Sequence, residues 1–187
     1  MDEQVLNAVT SGDVAGLKRL LDQGADVNAK DAFGWTALMW AGAIGFSDAV
    51  KLLLDSGAEP DAGDQYGATA LMKASRRGFA PVVQHLLNAG ASVNAGDEFG
   101  WTALMRAARR GYLDVVMLLL DRKANLEDTD QYGATALIMA ASEGHAEVVR
   151  ELLRRGANPA ARDRNGWTAL MWAGSMSHTH VIDVLKA

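Results

Sequence analysis

Five aspartates, Asp31, Asp64, Asp97, Asp130 and Asp163, recur at a fixed spacing of 33 residues, each followed by Gly at the fourth position and Thr-Ala-Leu at the sixth to eighth. A period of this length identifies an array of one supersecondary unit rather than a single globular core. One unit cannot bury its own apolar faces, so each takes its stability from stacked neighbours.

Numbered from its aspartate, each unit has a threonine at position six, namely Thr36, Thr69, Thr102, Thr135 and Thr168. A threonine oxygen satisfies a free amide of the first helical turn, so a short inner helix starts there. Leu at position eight and small residues at eleven and twelve, as in Leu104, Ala107 and Ala108, let neighbouring inner helices approach closely. Gly45, Gly78, Gly111 and Gly144 at position fifteen end that helix. Val115, Val116, Leu119 and Leu120 then fall on one face of a second, outer helix. Gly57, Gly90 and Gly156 close the outer helix, and segments such as Asp26-Val27-Asn28-Ala29 turn the chain into the next finger.

Read from Gly34-Trp35-Thr36-Ala37-Leu38-Met39 through Val50, Leu53-Leu54 and Gly57-Ala58, the unit resembles the ankyrin repeat. The resemblance covers essentially the whole chain. It implies an all-α solenoid of paired antiparallel helices joined by β-turn fingers, and most such arrays bind other proteins. The expected organisation is one domain, residues 1–187, with full repeats at 31–63, 64–96, 97–129 and 130–162. Residues 1–30 read as an N-terminal cap repeat without a finger, with Val5, Ala8 and Val9 on its inner helix and Leu17, Leu20 and Leu21 on its outer helix. Residues 163–187 read as a truncated C-terminal repeat, either a solubilising cap or a point where the sequence has been cut.

The chain departs from the family pattern at Thr-Pro-Leu-His, which here is Thr-Ala-Leu-Met or, in the 130–162 unit, Thr-Ala-Leu-Ile. Met39, Met72, Met105, Ile138 and Met171 are therefore expected to pack between repeats. Lys123 stands where other units end the outer helix with Gly, and a left-handed conformation there strains the backbone by roughly 1 kcal/mol. The units also alternate. Phe33 to Met39 is repeated identically from Phe99 to Met105, and Asp64 to Leu71 from Asp130 to Leu137.

Composition adds exclusions. The chain has 187 residues, 49% of them hydrophobic, and no cysteine, so neither a disulfide framework nor thiolate chemistry is available. No signal segment and no apolar run near 18 residues is present, which makes the cytoplasm the default location and a membrane span unexpected. His85, His145, His178 and His180 are scattered. His178 and His180, two apart on a helix, point to different sides and make no metal pair. Glycines recur at the repeat period and never form a phosphate-cradling loop. No catalytic group, cofactor or metal is expected, and the chain reads as a non-enzyme.

The resemblance places partner contacts on a concave face, at positions two, three and five of the finger and ten, thirteen and fourteen of the inner helix. The helix positions hold Lys73, Arg76 and Arg77 in one unit and Arg106, Arg109 and Arg110 in the next, six cations in a chain of net charge -5. Packed helices lie about 8 to 10 Å apart, so the two triplets form one patch, with Arg110 expected to pair with Glu143. Phe33, Tyr66, Phe99 and Tyr132 at position three and Trp35 and Trp101 at position five make an aromatic ladder. Trp40 with Ile44, and Trp172 with Met176, are expected to expose apolar patches at the two ends of the groove.

A protein segment with carboxylates or phosphates near large apolar anchors complements this pattern, bound by a monomer that self-associates weakly through exposed Trp. A second reading is a nucleotide or single-stranded nucleic-acid sensor, in which Tyr66, Phe99 and Trp101 stack on bases. Acidic finger residues Asp97, Glu98, Glu127, Asp128 and Asp130 argue against it. A third is an engineered or idealised array without a natural ligand.

Overall fold

A computed structural model describes all 187 residues. The helices run as six antiparallel pairs: α1 (Glu3–Ser11) with α2 (Val14–Asp22), α3 (Ala37–Ile44) with α4 (Ser47–Asp55), and α5 (Ala70–Arg77) with α6 (Ala80–Asn88). They continue as α7 (Ala103–Arg110) with α8 (Leu113–Asp121), α9 (Ala136–Ser142) with α10 (Ala146–Arg154), and α11 (Ala169–Ser175) with α12 (Thr179–Lys186). No strand forms, and one isolated bridge joins Gly96 to Thr102. The architecture is an all-α solenoid.

The five threonines cap the inner helices as the period predicts, each hydroxyl accepting from the amide three residues on at 3.3 to 3.4 Å. Outer helices after the first pair have no side-chain cap. Their position therefore depends on packing. Val50 and Leu53, Val83 and Leu86, Val116 and Leu119, and Val149 and Leu152 are fully buried beneath them.

Inner helices adjoin one another more extensively than outer helices do. The cause is side-chain size at positions eleven and twelve, where Ala41, Gly42, Ala74, Ala107, Ala108, Ala140 and Ala141 are buried between successive inner helices. The stack thus closes up along its inner side, where the fingers and the free face of the inner helices lie.

Two glycines show how tightly units are joined. Gly100 in a finger has φ +76, and a Cβ there would lie 2.7 Å from the Thr129 carbonyl oxygen and 3.1 Å from Cα of Asp130, the first residue of the next unit. Gly111, at φ +76 after α7, lies under the ring of His145, whose Nδ1 would be 2.5 Å from an added Cβ. The same imidazole, through Nε2, contacts the Arg109 carbonyl at 3.0 Å, and His178 repeats this contact with the Ser142 carbonyl at 3.1 Å. These histidines, 33 residues apart and so at the same position of successive units, fasten adjacent units.

Met39, Met72, Met105 and Ile138 are buried between repeats as expected. Met171 is not: it is 48% exposed, and Leu170 beside it is exposed too. Within residues 1–187 no later pair packs on them, and the expectation of packing fails at that position alone.

Two local faults suggest stabilising substitutions. Lys123 adopts φ 64, the left-handed conformation that costs a side-chain-bearing residue about 1 kcal/mol. Lys123→Gly should raise the urea midpoint by a corresponding amount, whereas an unchanged midpoint would mean that the lysine side chain compensates. The Ser75 hydroxyl is buried without a hydrogen-bond partner, while Gly42, Ala108, Ala141 and Gly174 occupy its place elsewhere. Ser75→Ala should stabilise the chain by roughly 1 kcal/mol in the same assay.

Candidate binding groove

Each finger is organised by its first residue. In the 97–129 unit, Asp97 Oδ1 accepts the Phe99 amide at 2.9 Å and the Trp101 amide at 3.0 Å. The same double acceptance by Oδ1 occurs at Asp31, Asp64, Asp130 and Asp163. The second oxygen, Oδ2, turns to the residue at position ten of the inner helix. Trp40 Nε1 donates to Asp31 at 2.8 Å, Lys73 Nζ to Asp64 at 2.7 Å, Arg106 to Asp97, and Trp172 Nε1 to Asp163 at 2.8 Å. In the 130–162 unit Met139 stands at position ten, and Asp130 Oδ2 receives no such bond.

This arrangement corrects two expectations. Lys73 and Arg106 are not open cations: their side chains are 11% and 18% exposed, and each is paired with a finger carboxylate that is more buried still. Trp40 and Trp172 are not exposed apolar patches. Each is half-buried, donates to a finger aspartate, and packs on the Trp at position five, with centroids 4.7 Å apart for Trp35–Trp40 and 5.0 Å for Trp167–Trp172. The physical reason is shared. An indole N–H, an ammonium and a guanidinium all serve as the donor that a nearly buried carboxylate requires.

The Lys73 ammonium also lies 3.7 Å from the centroid of the Trp35 ring. Burial opposes ionisation of Asp64, but Lys73 and the Tyr66 and Ala68 amides outweigh it and hold the carboxyl below its ordinary value. Burial pushes the Lys73 ammonium down as well, with Asp64 opposing and Arg106 and Arg76 reinforcing. The first direction favours the ion pair and the second opposes it. The 2.7 Å contact with a carboxylate that is itself favoured as the anion decides for an ionised pair.

Of the six cations, a third is also engaged. Arg109 pairs with Glu143 at 3.0 Å and lies over the Trp101 ring at 5.4 Å, so the partner expected for Arg110 is taken by its neighbour. Arg76, Arg77 and Arg110 remain, exposed and without an ion pair. Burial and then the repulsion of Arg106, Arg110, Arg77 and Arg109 push the Arg76 guanidinium down. An anion placed there would relieve that repulsion.

Three adjoining clefts bring the remaining candidates together. One of about 420 Å³ is lined by Phe33, Trp35, Trp40, Tyr66, Lys73, Arg76, Arg77, Phe99 and Arg106. A smaller one, about 180 Å³, holds Arg76, Phe99, Trp101, Arg106, Arg109 and Arg110. The third, about 710 Å³, is lined by Trp101, Arg109, Asp130, Tyr132, Met139, Glu143, Trp172 and others. Tyr66 and Phe99 are both exposed, with ring centroids 6.0 Å apart. Ile44 lines none of these clefts and is half-buried. A larger cleft, about 870 Å³, lies between α10 and α12 on the outer side, but Arg150 and Arg154 in it are already paired with Glu147 and Glu151 and no Phe, Tyr or Trp lines it. The inner clefts are the better candidates. Sequence reasoning misses the role of Asp130 and Met139 there, although the donors at position ten in four of the five units are a visible signal.

The family model for ankyrin repeats matches three times, over residues 5–97, 82–163 and 124–187. The crystal structure of EF0377, an ankyrin repeat protein, is similar over 98% of this chain and 96% of that one, at 27% sequence identity and a TM-score of 0.90. No curated protein matches. Ankyrin repeats generally mediate protein–protein interaction, and no helix of this chain is long and apolar enough to cross a membrane. By its repeat sequence and by the architecture those repeats build, the chain belongs to the ankyrin-repeat family.

Proposed function

We propose that this chain is a non-enzymatic binding module for an acidic or phosphorylated protein segment, held on the inner side of the stack. Residues 1–187 act as one array in this reading, with 1–30 and 163–187 as its end repeats, and the protein works as a cytoplasmic monomer. The observation that carries it is the unpaired cluster of Arg76, Arg77 and Arg110, on a surface where every other cation at position ten or thirteen already has a carboxylate. Guanidinium forks bind carboxylate and phosphate bidentately, and the exposed Tyr66 and Phe99 rings beside them offer apolar anchorage. The segment offsets the repulsion among these guanidinium groups, which adds to burial in pushing Arg76 down.

A disordered acidic segment loses conformational freedom on binding, so affinities in the micromolar range are expected. The test is fluorescence polarisation with labelled Glu-rich and phosphoserine peptides containing one or two aromatic residues. At least one should saturate in the micromolar range, and Arg76→Ser, Arg77→Ser and Arg110→Ser combined should weaken it at least tenfold with an unchanged melt. The Tyr66–Phe99 pair favours the nucleic-acid reading enough to require the same titration with single-stranded DNA and RNA. Oligonucleotide saturation below about 10 μM near 0.15 M salt, lost in the triple variant, would replace the peptide reading.

A further inference from the structure

The double period of the sequence supplies an internal comparison. Residues Asp64 to Leu71 and Asp130 to Leu137 are identical, and each stretch follows a unit whose finger carries Trp at position five, Trp35 and Trp101. In the earlier unit a cation fills the space between carboxylate and indole: Lys73 Nζ is 2.7 Å from Asp64 Oδ2 and 3.7 Å from the Trp35 ring centroid. In the later unit the carboxylate and the indole are both present, and the lysine is replaced by Met139.

Asp130 is only 6% exposed. Its Oδ1 accepts the Tyr132 and Ala134 amides at 2.9 Å each, while its Oδ2 has no donor from the protein. This second oxygen is not sealed from solvent and so stays open to a donor from outside, whereas in the other four finger aspartates it already accepts from position ten. The cleft of about 710 Å³ beside it is open enough to admit a long side chain and is walled by Trp101, Tyr132 and Trp172. Arg109, which lies 5.4 Å from the Trp101 centroid, is bound to Glu143 at 3.0 Å, so the cleft keeps two carboxylates, Asp130 and Asp163; Asp163 Oδ2 already accepts from Trp172 Nε1, which leaves Asp130 as the one with an oxygen free to accept.

We propose that the Asp130 cleft receives the ammonium of a lysine side chain from a bound protein segment, completing between two molecules the carboxylate and indole cage that Lys73 completes within one. The aliphatic stem of that lysine packs on Met139 and the Trp172 ring while its charge meets Asp130. This site adds to the anion-binding one and does not require it, since the two share neither Asp130 nor Met139. Together they specify more of the partner. Inner helices are about 8 to 10 Å apart and an extended segment advances about 3.3 Å per residue, so the lysine lies some three to six residues from the anion.

The probe is Nα-acetyl-lysine N-methylamide, with the norleucine analogue as its uncharged control, titrated into the full chain and followed by the indole N–H signals of Trp101 and Trp172. The lysine compound should saturate in the millimolar range and the norleucine compound should bind at least tenfold more weakly. Asp130→Asn, which keeps an oxygen for the finger amides, should lose the response. Met139→Lys should also abolish it, and should raise the thermal midpoint because it installs the internal partner that Lys73 exemplifies. The proposal fails if the lysine compound gives no saturable shift, if norleucine binds equally, if Met139→Lys still binds, or if that variant melts lower than the parent. None of these outcomes depends on Arg76, Arg77 or Arg110, so failure here leaves the acidic-segment reading to be judged by its own variant.

Discussion

The carboxylate at the head of each repeat is the contact on which the rest of the array depends. One of its oxygens ties down two amides of the finger, and in four of the five units the other reaches the inner helix at position ten. Finger and helix are thereby fixed relative to each other before any neighbour is added. Neighbouring fingers then join through backbone bonds, Glu98 to the Tyr66 carbonyl at 2.9 Å and Gln131 to the Phe99 carbonyl at 2.8 Å. Side chains of the connecting turns extend the joint on the other side, as Asn94 Oδ1 accepts the Asn125 amide at 2.8 Å. Stacking of one-dimensional units requires that each unit present the same surfaces, and the aspartate keeps those surfaces in register.

The same contact divides the inner face into residues that hold the fold and residues left over for a partner. Lys73, Arg106, Trp40 and Trp172 have the chemistry of binding residues, but each directs a donor to its own finger carboxylate, at Asp64, Asp97, Asp31 and Asp163 respectively. What remains is narrower than a patch of six cations and more specific: three unpaired arginines at one end, and at the other a carboxylate whose internal donor is missing. The stability of a nearly buried ion pair need not be large, because desolvation offsets the attraction. Its geometric effect, fixing where a finger points, does not depend on the size of that balance.

The fold is legible in the sequence because its causes are periodic. Thr36 and its equivalents cap, Gly45 and its equivalents stop the helix, and Ala107 and Ala108 set a close approach, each repeating every 33 residues. The site is legible in outline only. A side chain at position ten faces the groove by helical phase, and phase alone does not reveal that it bends back nine residues to its own finger aspartate. Helical phase therefore makes Trp40 and Trp172 look exposed, and it matches Arg110 rather than Arg109 to Glu143. Met171 is misplaced for a different reason: the periodic pattern promises a neighbour that residues 1–187 do not supply beyond α12. Conversely, the strain anticipated at Lys123 follows from one residue and one conformation, and the structure places it at φ 64.

Coupling between the finger carboxylate and position ten is measured directly by a double-mutant cycle on Asp97→Asn and Arg106→Met. Both side chains are largely withdrawn from solvent, and urea unfolding of the parent, the two single variants and the double variant isolates their interaction. A coupling of about 1 kcal/mol or more, with the two single variants losing nearly as much stability as the double, is the expected result. Additive losses, with coupling near zero, would show that the fingers are positioned by stacking alone and would contradict the organising role of the aspartates.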